Sequence, residues 1–385
     1  MNSKKTTVLI APDKFKGSLT AMQVCRHIAS GLNRFDNTIE TLLHPLADGG
    51  EGSLQIMAQH LSLEKVTKEV ENPVGRKVQA SYYRSGQKAF VELAEASGLE
   101  LLTQEERNPL RTSTTGTGQL IKDALYKGAN EIFLFIGGSA TNDAAMGIAH
   151  ELGYRFLNKT GDVLAPTGEN LIKVDKIDSS NILPVAKKAQ FVILCDVDNP
   201  LFGPNGAAFV YAPQKGATEA AVHLLDKGLK NFAEVVQKQF GTKTDDIPGS
   251  GAAGGIGAGL TGLFNSRLES GFEAIMDITQ LKEKIQKADI IISGEGKLDL
   301  QTLEGKVLKG VSNQAKIYRK PFVAFVGQNQ LNRPESKTLG AQNIYAVLEK
   351  ARDLDHAISS AGEILEELSY DFIKSYFTET KAASN

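Results

Sequence analysis

At 385 residues the chain exceeds the roughly 250–300 residues at which one hydrophobic core stops growing, so two domains are expected, and its 41% hydrophobic content can build both. A balance of 43 basic against 45 acidic residues, for a formal net charge of -2, gives no electrostatic reason for a nucleic-acid or membrane partner and makes small molecules the default. Two cysteines, Cys25 and Cys195, support neither a disulfide framework nor a cysteine-based zinc site; with no signal-peptide core and no apolar run near the roughly 20 residues of a membrane span, a reducing cytoplasm fits best.

Residues 7–11 form a short apolar run, residues 12–18 break it, and Val24, Ile28, Leu32 and Phe35 then recur on one helical face. This reads as strand, loop, helix. The same grammar returns at residues 41–45, 132–136, 191–194, 290–292 and 322–326. Runs such as 132–136 lack polar alternation, as expected of parallel strands covered by helices on both faces. Residues 64–93 differ: 66–70, 78–83 and 89–93 are strand-like, with turns at Asn72-Pro73-Val74-Gly75 and Ser85-Gly86, which predicts an antiparallel meander. Because the α/β grammar resumes near Asp289, one α/β domain is predicted to combine both chain ends, residues 1–62 and 287–385, around an inserted mixed α/β domain at 63–286. Ligands of open α/β sheets bind beyond the carboxyl ends of the strands, where the strand-to-helix loops lie.

Those loops carry the chemistry. Pro12-Asp13-Lys14-Phe15-Lys16-Gly17-Ser18 places two lysines at a helix entry, where cations and backbone amides attract anions; a loop with two solvated lysines and a turn-forming Asp13 is the plain alternative. Ala47-Asp48-Gly49-Gly50-Glu51-Gly52 surrounds acids with glycines, so that Asp48 or Glu51 can approach a metal, a phosphate or a reacting hydroxyl closely; a helix cap alone needs no such glycines. Thr114-Thr115-Gly116-Thr117-Gly118 is a hydroxyl-rich anion candidate, and Gly137-Gly138-Ser139-Ala140-Thr141-Asn142-Asp143 can cradle phosphate on its amides, unless it is simply a capped strand-helix connection. Cys195-Asp196-Val197-Asp198-Asn199-Pro200 sets two acids at i and i+2 after a buried strand, as a metal or base site would, although an Asx turn before Pro200 gives the same pattern. Lys215, in Pro213-Gln214-Lys215-Gly216-Ala217, offers a cation. The glycine-rich stretch 249–262 matches the dinucleotide fingerprint literally but follows no strand, so close helix packing or a backbone nest is the better reading. Finally, Ser293-Gly294-Glu295-Gly296-Lys297-Leu298-Asp299 with Gln301, Thr302 and Lys306 converges acids, an amide, a hydroxyl and lysines after residues 290–292.

Missing patterns narrow the chemistry further. The chain has no Gly-x-x-x-x-Gly-Lys-[Ser/Thr] P-loop and no Gly-x-Ser-x-Gly elbow, and its six histidines lie mostly outside these loops and read as surface or packing residues, His44 included.

Taken in order, the loops at residues 11–19, 46–52, 137–143, 195–200 with 213–217, and 293–306 resemble the class I glycerate kinases over about residues 7–370. The resemblance implies a two-domain α/β fold with one flavodoxin-like parallel-sheet domain, an active site in the interdomain cleft, and ATP-dependent phosphorylation of D-glycerate, in bacterial members typically to 2-phosphoglycerate. Some positions depart from that pattern: Ala144 and Ala145 stand where glycines are common, Lys297 where arginine is frequent and Leu308 where proline is frequent.

On this reading Asp196 or Asp48 accepts the proton of the attacking hydroxyl. Lys14, Lys16 and Lys306, with Asp13 and Asp299, address the substrate and its charges; Gly137, Gly138, Ser139, Thr141, Asn142, Gly294 and Gly296 hold ATP. Asp198 and Glu295 bind Mg²⁺, with Asp299 a further possible ligand. A kinase for another small hydroxy acid and a non-catalytic sugar-acid sensor are the alternatives, with an NAD-dependent dehydrogenase behind them. Monomer and homodimer are both open.

Overall fold

The computed structural model describes residues 5–47, 53–303 and 307–383. Within them the strands are, in chain order, β1 (Thr7–Ile10), β2 (Glu40–Leu43), β3 (Glu64–Glu71), β4 (Lys77–Ser85), β5 (Lys88–Glu92), β6 (Glu131–Phe135), β7 (Arg155–Leu157), β8 (Lys176–Asp178), β9 (Gln190–Leu194), β10 (Arg267–Glu269), β11 (Ile290–Leu298), β12 (Phe322–Asn329) and β13 (Asn343–Ala346). The chain divides into two compact units, Met1–Asp48 with Phe272–Asn385, and Gly49–Gly271.

In the first unit a five-stranded sheet runs β13-β12-β11-β1-β2 with every pairing parallel. Counted along that unit, this is the flavodoxin-like order 2-1-3-4-5, so the fold class implied by the resemblance is what forms. Side chains alternate across the sheet. Val8, Ile10, Ile290, Ile292, Val323 and Phe325 point into a core shared with helices Ala21–Phe35 and Ala361–Ala383. Their neighbours Leu9, Ile291 and Ala324 are equally buried on the other face, which helices Leu281–Lys287 and Val307–Ile317 approach. Strands covered on both faces need the continuous apolar runs read from the sequence. β2 departs from the buried strand expected at 41–45: it is parallel, but having β1 as its single sheet neighbour it lies at the edge, and its residues are half-buried or exposed.

The second unit holds a six-stranded sheet, β10-β9-β6-β5-β4-β3. The meander expected at 64–93 is present as antiparallel β3-β4-β5, and the sheet continues in parallel through β6, β9 and β10. A separate antiparallel pair, β7-β8, was not legible, because three-residue strands leave almost no periodic signal.

The glycine-rich stretch forms helix Ala252–Phe264, whose first turn is left-handed at Ala253, Gly254 and Gly255. Its glycines permit backbone-to-backbone contact. A Cβ on Gly259 would stand 1.9 Å from the Ala144 carbonyl oxygen, one on Gly254 2.2 Å from that of Thr141, and one on Gly251 2.0 Å from that of Pro200. These are the loops after β6 and β9, so the close-packing reading of this stretch holds. Gly259→Ala is accordingly expected to cost about 1–3 kcal/mol through overpacking and to lower the melting temperature. An unchanged melting curve for that variant would show the contact to be dispensable.

Candidate active site

In the doubly wound order the helices change face between β1 and β11, which opens a crevice at the carboxyl ends of these two strands. Residues from two of the predicted loops meet there. The amide of Asp13 donates to the Gly294 carbonyl at 2.8 Å, and Ser293 Oγ donates to the Ala11 carbonyl at 2.6 Å. Gly294 is required by the close approach of β12: its Cβ would lie 2.0 Å from the Phe325 carbonyl oxygen. Asp13 Oδ1 accepts from the Lys14 amide at 2.6 Å, and the side chains of Lys14 and Lys16 are exposed. Glu295 is buried and accepts the hydroxyl of Thr302; Thr302 Oγ1 in turn accepts from the Asp299 amide at 3.2 Å. Lys297 and Asp299 form a partly exposed ion pair at 3.2 Å. Asp13, Lys14, Lys16, Gly294, Glu295, Gly296 and Asp299 thus gather at the carboxyl ends of β1 and β11, whereas Asp48, with Gly49 to Gly52, and Lys306 lie outside the described residues.

A second cluster forms in the other unit, where β5, β6, β9 and β10 end on the same side of their sheet. The loop after β6 is tied down from several segments. Leu99 donates to the Gly138 carbonyl at 2.9 Å, the Ala140 amide to Ser97 at 2.9 Å, and Thr112 Oγ1 to the Ala140 carbonyl at 2.9 Å. Asp143 Oδ2 accepts from the Thr114 amide and hydroxyl, both at 2.8 Å, and from the Gly147 amide at 3.2 Å. Burial pushes the Asp143 carboxyl up, and those donors work against it. Lys215 Nζ donates to Ser139 Oγ and to the Thr141 carbonyl, each at 2.7 Å. Lys215 is 2% exposed; burial draws its ammonium down to about 7, with Asp143 opposing the shift. Thr141 Oγ1 and both amide atoms of Asn142 are buried with no hydrogen-bond partner among the described residues, so the loop keeps unused polar capacity.

The hydroxyls of Thr114, Thr115 and Thr117, in the anion candidate read from the sequence, all have partners within the protein. Thr114 is committed to Asp143, Thr117 pairs with Ser97 at 2.7 Å, and Thr115 pairs with Ser113 at 2.8 Å. Through Asp143, Thr114 braces the loop after β6. In the loop after β9, Asp196 is exposed, with Oδ1 accepting from Ser270 Oγ and the Gly271 amide at 2.9 Å each, while Asp198 is exposed two residues on. Cys195 Sγ donates to the Val197 carbonyl at 3.3 Å, and burial pushes this thiol up to about 11. His44, expected to be a surface or packing residue, is fully buried, with Nε2 3.0 Å from Thr279 Oγ1 and Nδ1 2.8 Å from Lys284 Nζ.

Two partners escaped sequence reasoning. Lys215 was visible only as a cation between Pro213 and Gly216, and Ser270 carried no signal at all. The alanines at 144 and 145 acquire a meaning from their dihedrals: φ is 48° and 60°, the left-handed region that glycine adopts without strain.

Among the described residues no group of three or more His, Cys, Asp or Glu side chains is placed to hold a metal, and no helix is long and apolar enough to cross a membrane.

Acids, lysines and tight glycine turns at the carboxyl ends of parallel strands define a two-unit α/β enzyme without a P-loop. The profile of the glycerate kinase family matches residues 8–376, and the chain belongs to that family. It is 41% identical to a glycerate kinase of Halalkalibacterium halodurans over 94% of this chain and 96% of that protein, and 39% identical to glycerate 2-kinase of Escherichia coli K12 over 92% and 93%. A crystal structure from Salmonella typhimurium LT2, provisionally named glycerate kinase 2, superposes with a TM-score of 0.87 at 35% identity, covering 98% of this chain and all of that one.

Two outcomes follow from the local geometry. Ala145→Gly relieves about 1–2 kcal/mol of left-handed strain and should be neutral or stabilising in denaturant unfolding, whereas Ala149→Gly, in helix Met146–Glu151, should destabilise by about 1 kcal/mol; equal losses would refute the strain. Native protein at pH 8 should react slowly with a thiol reagent, because a thiol near 11 holds about a hundredfold less thiolate than an ordinary one and Cys25 is pushed higher still, to about 12. Rapid labelling of either cysteine before unfolding would contradict the burial.

Proposed function

We propose that this enzyme transfers the γ-phosphoryl group of ATP to the 2-hydroxyl of D-glycerate, giving 2-phosphoglycerate and ADP, with both residue clusters serving the one reaction. Family membership over residues 8–376 supports the kinase activity and the substrate class. The observation that carries the assignment of roles is the concentration of acids and lysines at the strand ends of each sheet.

Phosphoryl transfer needs positioning and charge neutralisation more than covalent help. Asp196 is the proposed base: two donors hold one carboxylate oxygen, which fixes the group's orientation for taking the proton of the attacking hydroxyl. Asp48 is the second acid proposed to act there. The backbone of Gly137 and Gly138, with Ser139, Thr141 and Asn142, receives phosphate oxygens, as do Gly294 and Gly296. Lys14, Lys16 and Lys306 balance phosphate and carboxylate charge, while Asp13 and Asp299 set the orientation of lysines and substrate. Magnesium is held by Asp198 and Glu295 together with the nucleotide phosphates, and when bound it neutralises their charge. Two unpaired cysteines support a reducing, cytoplasmic setting.

Wild-type protein mixed with MgATP and D-glycerate should release ADP in a coupled assay, and phosphorus NMR should show the 2-phosphate ester. Absence of ADP release from folded protein would overturn the reading, and the 3-phosphate ester would overturn the regiochemistry. Asp196→Asn is expected to lower kcat by about 10²–10⁴-fold with an unchanged melting temperature; a near-normal rate would reject Asp196 as the base.

A further inference from the structure

Lys215 is an unusual side chain to find in this loop. It comes from 76 residues away in sequence to meet Ser139 Oγ. A turn of fixed shape inserts it: Gly216 has φ +90°, and a Cβ there would stand 2.1 Å from the Arg107 carbonyl oxygen. Once inserted, Lys215 is sealed from solvent while Ser139 sits at the margin of the loop, 8% exposed.

The chemistry of the pair is asymmetric. An ammonium group has donors only, so against Lys215 in its charged form the Ser139 oxygen must accept, and its own O–H is turned outward. A neutral amine has a lone pair. Against it, the Ser139 O–H can turn inward, which leaves oxygen lone pairs facing outward, where they repel an anion. We infer that Lys215 is a positioning residue, whose ammonium holds the Ser139 hydroxyl as an outward donor to a phosphate oxygen of the nucleotide and so makes phosphate binding at this loop dependent on pH.

This rests on the proposed nucleotide role of residues 137–142 and deepens it. Charged groups near Lys215 are few. Asp143, on the loop of Ser139, favours the ammonium; Arg107 packs its backbone and Cβ on Gly216. The neighbouring helices Ala207–Tyr211 and Ala252–Phe264 contain no acidic, lysine, arginine or histidine side chain, and the one phenol, Tyr211, donates to Asn199 Oδ1 at 2.5 Å. Burial dominates the balance and draws Lys215 down to about 7. The direction follows: the lysine is charged below that pH, where the hydroxyl points outward, and loses its proton above it.

The test compares wild type with Ser139→Ala, which leaves Lys215 in place. Binding of the non-hydrolysable ATP analogue AMP-PNP with Mg²⁺ is measured by calorimetry at pH 6 and pH 8.5. Titration of the analogue itself cancels in the ratio of the two Kd values. That ratio should be about tenfold at pH 6, the loss of one hydrogen bond to a charged acceptor, and close to one at pH 8.5. Lys215→Arg, permanently charged, should bind with the same relative strength at both pH values against Ser139→Ala in the Lys215→Arg background. A ratio that is raised but equal at both pH values overturns the inference alone and leaves the loop as a phosphate site. A ratio near one at pH 6 overturns the loop assignment along with the inference. Failure of the wild type to bind the analogue at either pH overturns the ATP-dependent reading itself.

Discussion

The second unit depends on backbone packed directly against backbone. Helix Ala252–Phe264 approaches the carbonyls of Thr141, Ala144 and Pro200 so closely that any side chain at Gly254, Gly259 or Gly251 would collide with them. The loops after β6 and β9 are therefore seated on a surface with almost no freedom to adjust. Interiors this dense transmit small changes in shape rather than absorbing them. Ala144 and Ala145 fit this seat only in left-handed backbone, and their methyl groups are buried in it, so the seat holds two strained residues in place.

On that seat the polar groups are arranged by scarcity of water. Asp143 and Lys215 are both buried, and each is displaced from its ordinary titration range chiefly by loss of solvent. Each is tolerated because hydrogen bonds replace that solvent: Thr114 and Gly147 for the acid, Ser139 and Thr141 for the lysine. The first unit reaches a similar result with different parts. There Gly294 lets β11 lie close against β12 at the Phe325 carbonyl, and Glu295 is buried against Thr302, with Lys297 and Asp299 paired beside it.

Much of the fold was legible because parallel strands covered on both faces must be continuously apolar. Residues 132–136, 191–194, 290–292 and 322–326 carry that mark, and each forms a strand within one residue or a few of the expected span. The short strands β7, β8 and β10 carried no comparable mark, since three residues cannot display a period. In the site, the loops themselves were legible from acids and glycines in small windows. Their supports were not: Ser270 reaches Asp196 across 74 residues and Lys215 reaches Ser139 across 76, and no local pattern encodes such a meeting.

Sequence alone determined the α/β class, the loops that bear the polar residues, and the need for glycine at their turns, because each of these follows from local periodicity and sterics. Tertiary structure alone decided that Thr114 braces a neighbouring loop through Asp143, that Lys215 is buried against Ser139, and that alanines occupy left-handed backbone. Those outcomes depend on which distant segments exclude water from one another, and that is settled only when the chain has packed.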